Sequence, residues 1–221
     1  MSSLRGHRMH WSAAMLLLAV AALRPSGASA QQDPLYSQYM FNTLAYNPAY
    51  AGSADVFTMM ALSRHQWVGF AGAPNTQTLV LHSPLPGRTL ALGGSVVHDV
   101  IGPAKQTSAF LDAAYRIRTG ERSRLAFGLK GGVGLYQADL ASLSTVQVES
   151  ANLNISGKLL PNFGFGLYWH SPRHYVGLSA PRLLENTIGS DGSVVVSKEF
   201  RHYHLIGGYV IDVNRDLRFK P

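Results

Sequence analysis

The 221-residue chain carries 19 Lys and Arg against 12 Asp and Glu, and charged residues make up only 14% of it, below the roughly 25% of a soluble domain. That length allows one domain with a sizeable core or one medium barrel. With no Cys, disulfides, thiolate metal sites and lipid attachment through a terminal cysteine are excluded, and no apolar run reaches the ~18 residues of a spanning helix.

Residues 1–30 read as a signal peptide. Arg5, His7, Arg8 and His10 give a basic start, and residues 11–23 form an apolar region too short to span a bilayer. Ala28-Ser29-Ala30 is the small-residue cleavage pattern, which leaves Gln31 first. The leader removes Arg5, Arg8 and Arg24 but no acid, so the exported part keeps 16 basic against 12 acidic side chains, a net +4. These charges are scattered. The one cluster, 116–124 (RIRTGERSR), surrounds a glycine turn and includes Glu121, so it reads as a solvated hairpin end and not as a nucleic-acid face.

Residues 31–55 form an N-terminal plug or docking segment. Its informative stretch is 33–53, DPLYSQYMFNTLAYNPAYAGS. The aromatics Tyr36, Tyr39, Phe41, Tyr46 and Tyr50 are spaced too irregularly for an alternating strand, and Pro48 breaks a helix through them. Asn47-Pro48 and Gly52 are turn signals. Such a segment is expected as an ordered loop leaning on a larger apolar scaffold.

Residues 56–221 supply that scaffold. A strand over 56–67 and a loop over 69–75 lead into 76–82, where Leu79 and Leu81 oppose Thr78, Val80 and His82. A turn at 83–88 is followed by a strand over 89–98, which places Leu90, Leu92 and Val96 together, and by a turn at 99–105. In 107–117, Ala109, Leu111, Ala113, Tyr115 and Ile117 oppose Ser108, Asp112 and Arg116. After the 119–123 turn, 125–136 sets Leu125, Phe127, Leu129, Val133 and Leu135 against a small-residue face that carries Lys130. Period two over about a dozen residues exceeds the ~5–6 residue strand of a soluble sheet and suits the ~9–11 residues of a tilted membrane strand. The aliphatic face is expected to meet lipid and the small-residue face the lumen.

A polar loop over 138–158 precedes further strands at 161–170 and 175–180. A second long connection at 182–193 leads to a strand at 201–213, and 217–221 begins another. The count is about eight strands plus one beginning. The fold class is therefore all-β: an antiparallel transmembrane β-barrel of the outer-membrane type, incomplete in this chain. A soluble glycine-rich sandwich is the alternative.

Chemistry is sparse. The chain has no phosphate-binding glycine loop, no GxSxG elbow and no HExxH pair. It is read as a non-enzyme without cofactor or metal. Ser108, Asp112 and His98 are placed toward one lumen, but nothing positions a base on a nucleophile. His202-x-His204, with Asp212 or His170, is the best zinc candidate; its ligand set is incomplete and it reads as lumen-facing polar residues. Trp169, Tyr175, Tyr203 and Tyr209 read either as part of an aromatic girdle or as ordinary sheet-packing aromatics. Trp67, beside Arg64, Gln66 and Phe70, reads either as a loop offered to a partner or as an interfacial anchor for its strand.

Five blocks in order, 33–53, 64–78 (RHQWVGFAGAPNTQT), Ile101-Gly102-Pro103, 160–168 (LPNFGFGLY) and 175–180 (YVGLSA), span nearly all of the exported chain. Through them it resembles the PorP/SprF family, outer-membrane proteins tied to type IX secretion and gliding in Bacteroidetes. The resemblance implies an accessory role in that machinery. The implied partners are outer-membrane lipids, periplasmic ring and peptidoglycan-binding components, and secreted surface proteins. Tyr36, Phe41, Asn42, Asn47 and Tyr50 match the family's signature. With Pro48 and Gly52 they read as a docking surface or lumen seal, or equally as stabilisers of the barrel from inside. Arg64, Gln66 and Trp67 complete the partner-binding set. Family members are longer, with about fourteen strands, and this chain lacks the aromatic-ended final strand typical of such barrels. A closed eight-strand barrel would be filled by side chains and leave the plug no room. The alternative function is an outer-membrane diffusion channel or a lipid or small-molecule transporter.

Overall fold

The computed structural model describes residues 41–139, 154–190, 194–212 and 218–219. The expected signal peptide, Tyr36 and most of the 138–158 loop lie outside them.

Strands dominate because alternation dominates the sequence. They are β1 (Thr58–His65), β2 (Asn75–Pro84), β3 (Leu90–Ile101), β4 (Ala104–Arg118), β5 (Arg124–Ala138), β6 (Ile155–His170), β7 (His174–Ala180), β8 (Thr187–Ser190), β9 (Val194–Lys198), β10 (His204–Tyr209), β11 (Ile211–Asp212) and β12 (Arg218–Phe219). One sheet of eight strands runs β1 through β7 and then β10, each antiparallel to its neighbour, as an open half-barrel. β8 and β9 form a hairpin between β7 and β10, and β11 pairs with β12. Among the described residues no helix is long and apolar enough to cross a membrane.

β4 and β5 have 15 residues each and β6 has 16. At ~3.3 Å per residue they run roughly 50 Å, ample for the tilted crossing of a bilayer. Neighbours in sequence have opposite surroundings. Leu111 is 75% exposed beside Asp112 at 2%, and Leu129 is 68% exposed beside Lys130 at 5%. A sheet that buries its charges and exposes its leucines is inside-out relative to a soluble protein, and hydrocarbon is the solvent that makes it stable.

Connections differ in length at the two ends. Residues 85–89, 119–123 and 171–173 are short turns at one end, the short-turn end. The opposite, long-loop end carries 66–74, 139–154 and 181–203, and one tight turn at Gly102-Pro103. That turn is shorter than the expected 99–105 because β3 and β4 pair up to Ile101 opposite Ala104. The stretch 182–193, expected as a plain connection, contributes β8. β6 begins at Ile155, inside the expected loop.

Pro161 lies within β6, opposite Val133. Proline cannot donate to a ladder and belongs on an edge. Here β7 pairs with β6 only as far as Phe165 opposite Ala180, so the preceding part of β6 has a free side. The chain after β7 covers it: Leu183 N–H donates to Phe163 O (2.9 Å) and Asn186 Nδ2 to Pro161 O (3.1 Å).

Candidate functional site

The concave face of the half-barrel holds the N-terminal segment. Residues 43–46 form a single turn, α1 (Thr43–Tyr46), and Pro48–Tyr50 forms a 3-10 turn with proline in its first turn. Asn47 joins them because its side chain does what the backbone cannot. Its Oδ1 accepts from Ala49 N–H (2.9 Å), capping the 3-10 turn, and its Nδ2 donates to Leu167 O on β6 (2.9 Å).

The sheet receives the segment on a floor of glycines. A Cβ at Gly128 would collide with the Ala49 backbone, and one at Gly166 with the Asn47 carboxamide. At Gly177 it would come 2.8 Å from Asn47 Nδ2, and at Gly93 3.0 Å from Leu44. These four glycines lie on β5, β6, β7 and β3, all pointing inward. They leave the depth in which the 42–52 backbone lies. Leu44 and Ala51 pack with Val80, Ala91 and Ala114, while Ala49 packs with Ala126 and Tyr168. Gly52 has φ +69, and a side chain there would strike Ala91, so a glycine is required at this bend.

Polar groups of the sheet then satisfy the segment's backbone. Lys130 Nζ donates to Leu44 O (3.2 Å), Ser179 Oγ to Tyr46 O (2.7 Å), and His82 Nδ1 accepts from Gly52 N–H (3.1 Å). Arg116 Nη1 donates to Gly52 O. Lys130 also lies 3.1 Å from Asp112 Oδ1. The two form a buried ion pair, and the same ammonium donates to the segment at Leu44 O. Tyr50 sits edge-on to His82 and Tyr168, and Tyr46 edge-on to His204 (5.1 Å).

The segment leaves at the short-turn end, where Asp55 is clamped by Arg116 (3.0 Å) and Arg124. Partial burial raises the Asp55 carboxyl, but hydrogen bonds and charge from Arg124 and Arg116 outweigh it and hold it below the ordinary carboxylate value.

The structure thus brings Asn42, Asn47, Pro48, Tyr50 and Gly52 together on the concave face. Asn42 is buried, yet neither polar atom of its side chain finds a partner among the described residues. Phe41 is exposed. Arg64, Gln66 and Trp67 are elsewhere, at the long-loop end of β1 and in the loop after it. Trp67 is 71% exposed with φ +48, an uncommon backbone region for a bulky residue.

Other expectations are corrected. His98 shares its face with Val96, its Nδ1 within hydrogen-bonding distance of Thr107 Oγ1 (2.8 Å), and points away from Ser108 and Asp112. The three do not meet. Tyr175 packs inward against Tyr168, so it belongs to the lumen and not to a girdle. His204 supports Tyr46, and among the described residues no group of three or more His, Cys, Asp or Glu is placed to hold a metal. The glycine floor, the Asp112–Lys130 pair and the Asp55 clamp were missed as parts of a site. Part of the signal was in the sequence: the glycines, Asp112, Lys130 and Arg116 occupy the inward parity of strands already assigned, whereas Asp55 lies before β1 and carries no such signal.

No curated protein and no solved structure matches the chain. Residues 28–221 match the family model described as type IX secretion system membrane protein PorP/SprF. The chain belongs to the PorP/SprF family of type IX secretion membrane proteins.

Proposed function

We propose that this chain is a non-enzymatic anchor in the outer membrane that holds other components of the type IX machinery, and the cargo they deliver, at that membrane. The observation that carries this reading is the seating of residues 42–55 in the glycine-floored concave face. Side chains of seven strands, β2 to β7 with β10, fix this segment, so the surface it offers is held in a defined place. The short turns lie at the end where residues 54–57 enter β1, and outer-membrane barrels keep short turns toward the periplasm. The segment is then offered to periplasmic ring and peptidoglycan-binding components. At the long-loop end, exposed Trp67, Val68 and Phe70 offer an aromatic-aliphatic tip to secreted surface proteins.

The occupied concave face speaks against a diffusion channel. Residues 42–55 cover its middle and short-turn side, and the 181–186 stretch lies against Asn162 and Gly164 nearer the other end. The separation of His98 from Ser108 and Asp112 speaks against a lumen hydrolase.

Photo-crosslinking in cells tests the proposal. A photoreactive residue at Phe41 is expected to yield discrete adducts with periplasmic proteins, and one at Leu111 is expected to yield none. Equal protein adducts at both positions, or none at Phe41, would refute it. Fractionation of the same cells must place the chain in the outer membrane.

A further inference from the structure

A second feature of the short-turn end lies outside the segment's seat. A cleft of about 400 Å³ opens between the 119–123 turn and Pro172, lined by Asp55, Arg118, Glu121, Arg122, Arg124 and His170. A neighbouring cavity of about 230 Å³ shares His170 and Pro172 with it and reaches Tyr50 and Arg173.

The charges here do not balance. Asp55 is already committed to Arg116 and Arg124. Glu121 is the only other acid lining the cleft, against Arg118 and Arg122, which are exposed and without an ion-pair partner among the described residues. Three guanidiniums, Arg118, Arg122 and Arg124, therefore line the cleft against two carboxylates. The Nε2 of His170 is buried with no hydrogen-bond partner among the described residues. Two unpaired arginine forks beside a third guanidinium form a donor set suited to an oxyanion.

Strand parity says from which side that anion comes. Arg118 continues the inward series Asp112, Ala114, Arg116, Arg124 precedes inward Ala126, and His170 follows inward Tyr168. These side chains lie on the concave side at the short-turn mouth of the half-barrel, away from the convex face that meets lipid.

We propose that this cleft binds an oxyanion, a phosphate or carboxylate group presented from the aqueous mouth, through Arg118 and Arg122, with the Arg124 guanidinium adding positive charge beside them. Glu121 tempers the site, and the clamped Asp55 fixes Arg124 beside it. The proposal does not depend on the anchoring role, since it concerns a ligand group and not the seated segment.

The test is calorimetric titration of the full exported chain, in nanodiscs of phosphatidylcholine, with inorganic phosphate at low salt. Saturable binding is expected, weakened about tenfold or more when Arg118 and Arg122 are both changed to Gln, as expected for lost charge-assisted bonds. Glu121→Gln, which keeps every donor, is expected to tighten it. Nanodiscs containing phosphatidylglycerol are expected to leave phosphate binding unchanged, because headgroups lie on the other face. Absence of saturable binding, an unaffected double variant, or a Glu121→Gln variant that binds no tighter would overturn the site. Competition by phosphatidylglycerol would overturn the aqueous source of the anion. Both arginines are exposed, Arg118 at the end of β4 and Arg122 in the turn after it, and a heat-modifiable gel shift verifies that the variants fold.

Discussion

The two faces of β4, β5 and β6 belong to the same strands and differ by one residue of register, yet they answer to different selectors. On the convex face, Leu111, Leu129 and Phe163 stand exposed, and almost any bulky apolar residue would serve hydrocarbon equally well. On the concave face, Gly128, Asp112, Lys130 and Gly166 are individually constrained, because each meets a particular atom of residues 42–52 or of its neighbours. Lipid asks for a composition; the seated segment asks for a shape. Substitutions on the convex face should therefore matter only when they change polarity, and those on the concave face when they change a single atom group.

The largest expected effect breaks the concave face at its charge pair. Lys130→Met leaves Asp112 buried without its cation and Leu44 O without its donor, at a cost of about 3–5 kcal/mol. Adding Asp112→Leu should recover much of that loss. Urea unfolding in phosphatidylcholine vesicles reads both. A single variant no worse than the double would show that the pair is not buried as described.

Next, Leu129→Arg, one residue away on the convex face, is expected to cost about 2–4 kcal/mol if the position lies near the bilayer centre. Leu129→Phe should be nearly silent in the same assay. An Arg as harmless as Phe would place this face in water.

Gly128→Ala adds one methyl against the Ala49 backbone and should cost about 1–3 kcal/mol. Limited proteolysis should then cut within 42–52 where the parent chain resists. Gly131→Ala, whose Cβ would meet nothing within 4 Å, is the paired control.

The smallest effect concerns pH. Asp55 is held below its ordinary value near ~3.9, so its clamp contributes fully above that value and is lost as the pH falls through the lower folded value. The stability gap between the parent chain and Asp55→Asn should be flat from neutrality down to about pH 5 and close only in stronger acid. A gap that closes near neutrality would contradict the clamp.

The convex face was largely legible from the sequence. Alternation at 107–117 and 125–136 fixes parity, and parity with low charge fixes the solvent. The concave site was only half legible. Asn47-Pro48 and Gly52 announced a bend, but nothing local says that Gly128, Gly166 and Gly177, on three strands, converge beneath the 47–49 stretch. That convergence is set by register across the sheet, a long-range property. His98 was misplaced because its polarity was weighed over its parity with Val96. The β8–β9 hairpin was missed because strands of four and five residues are too short to establish a period.

Because the chain has no Cys, single spin labels can be placed without background. Oxygen accessibility scanned residue by residue from Ala109 to Tyr115 in lipid nanodiscs addresses the inside-out sheet directly. The account predicts high oxygen collision rates at 109, 111, 113 and 115 and low rates at 110, 112 and 114. Rates that fail to alternate, or odd positions reached by water-soluble nickel reagent instead of oxygen, would contradict it.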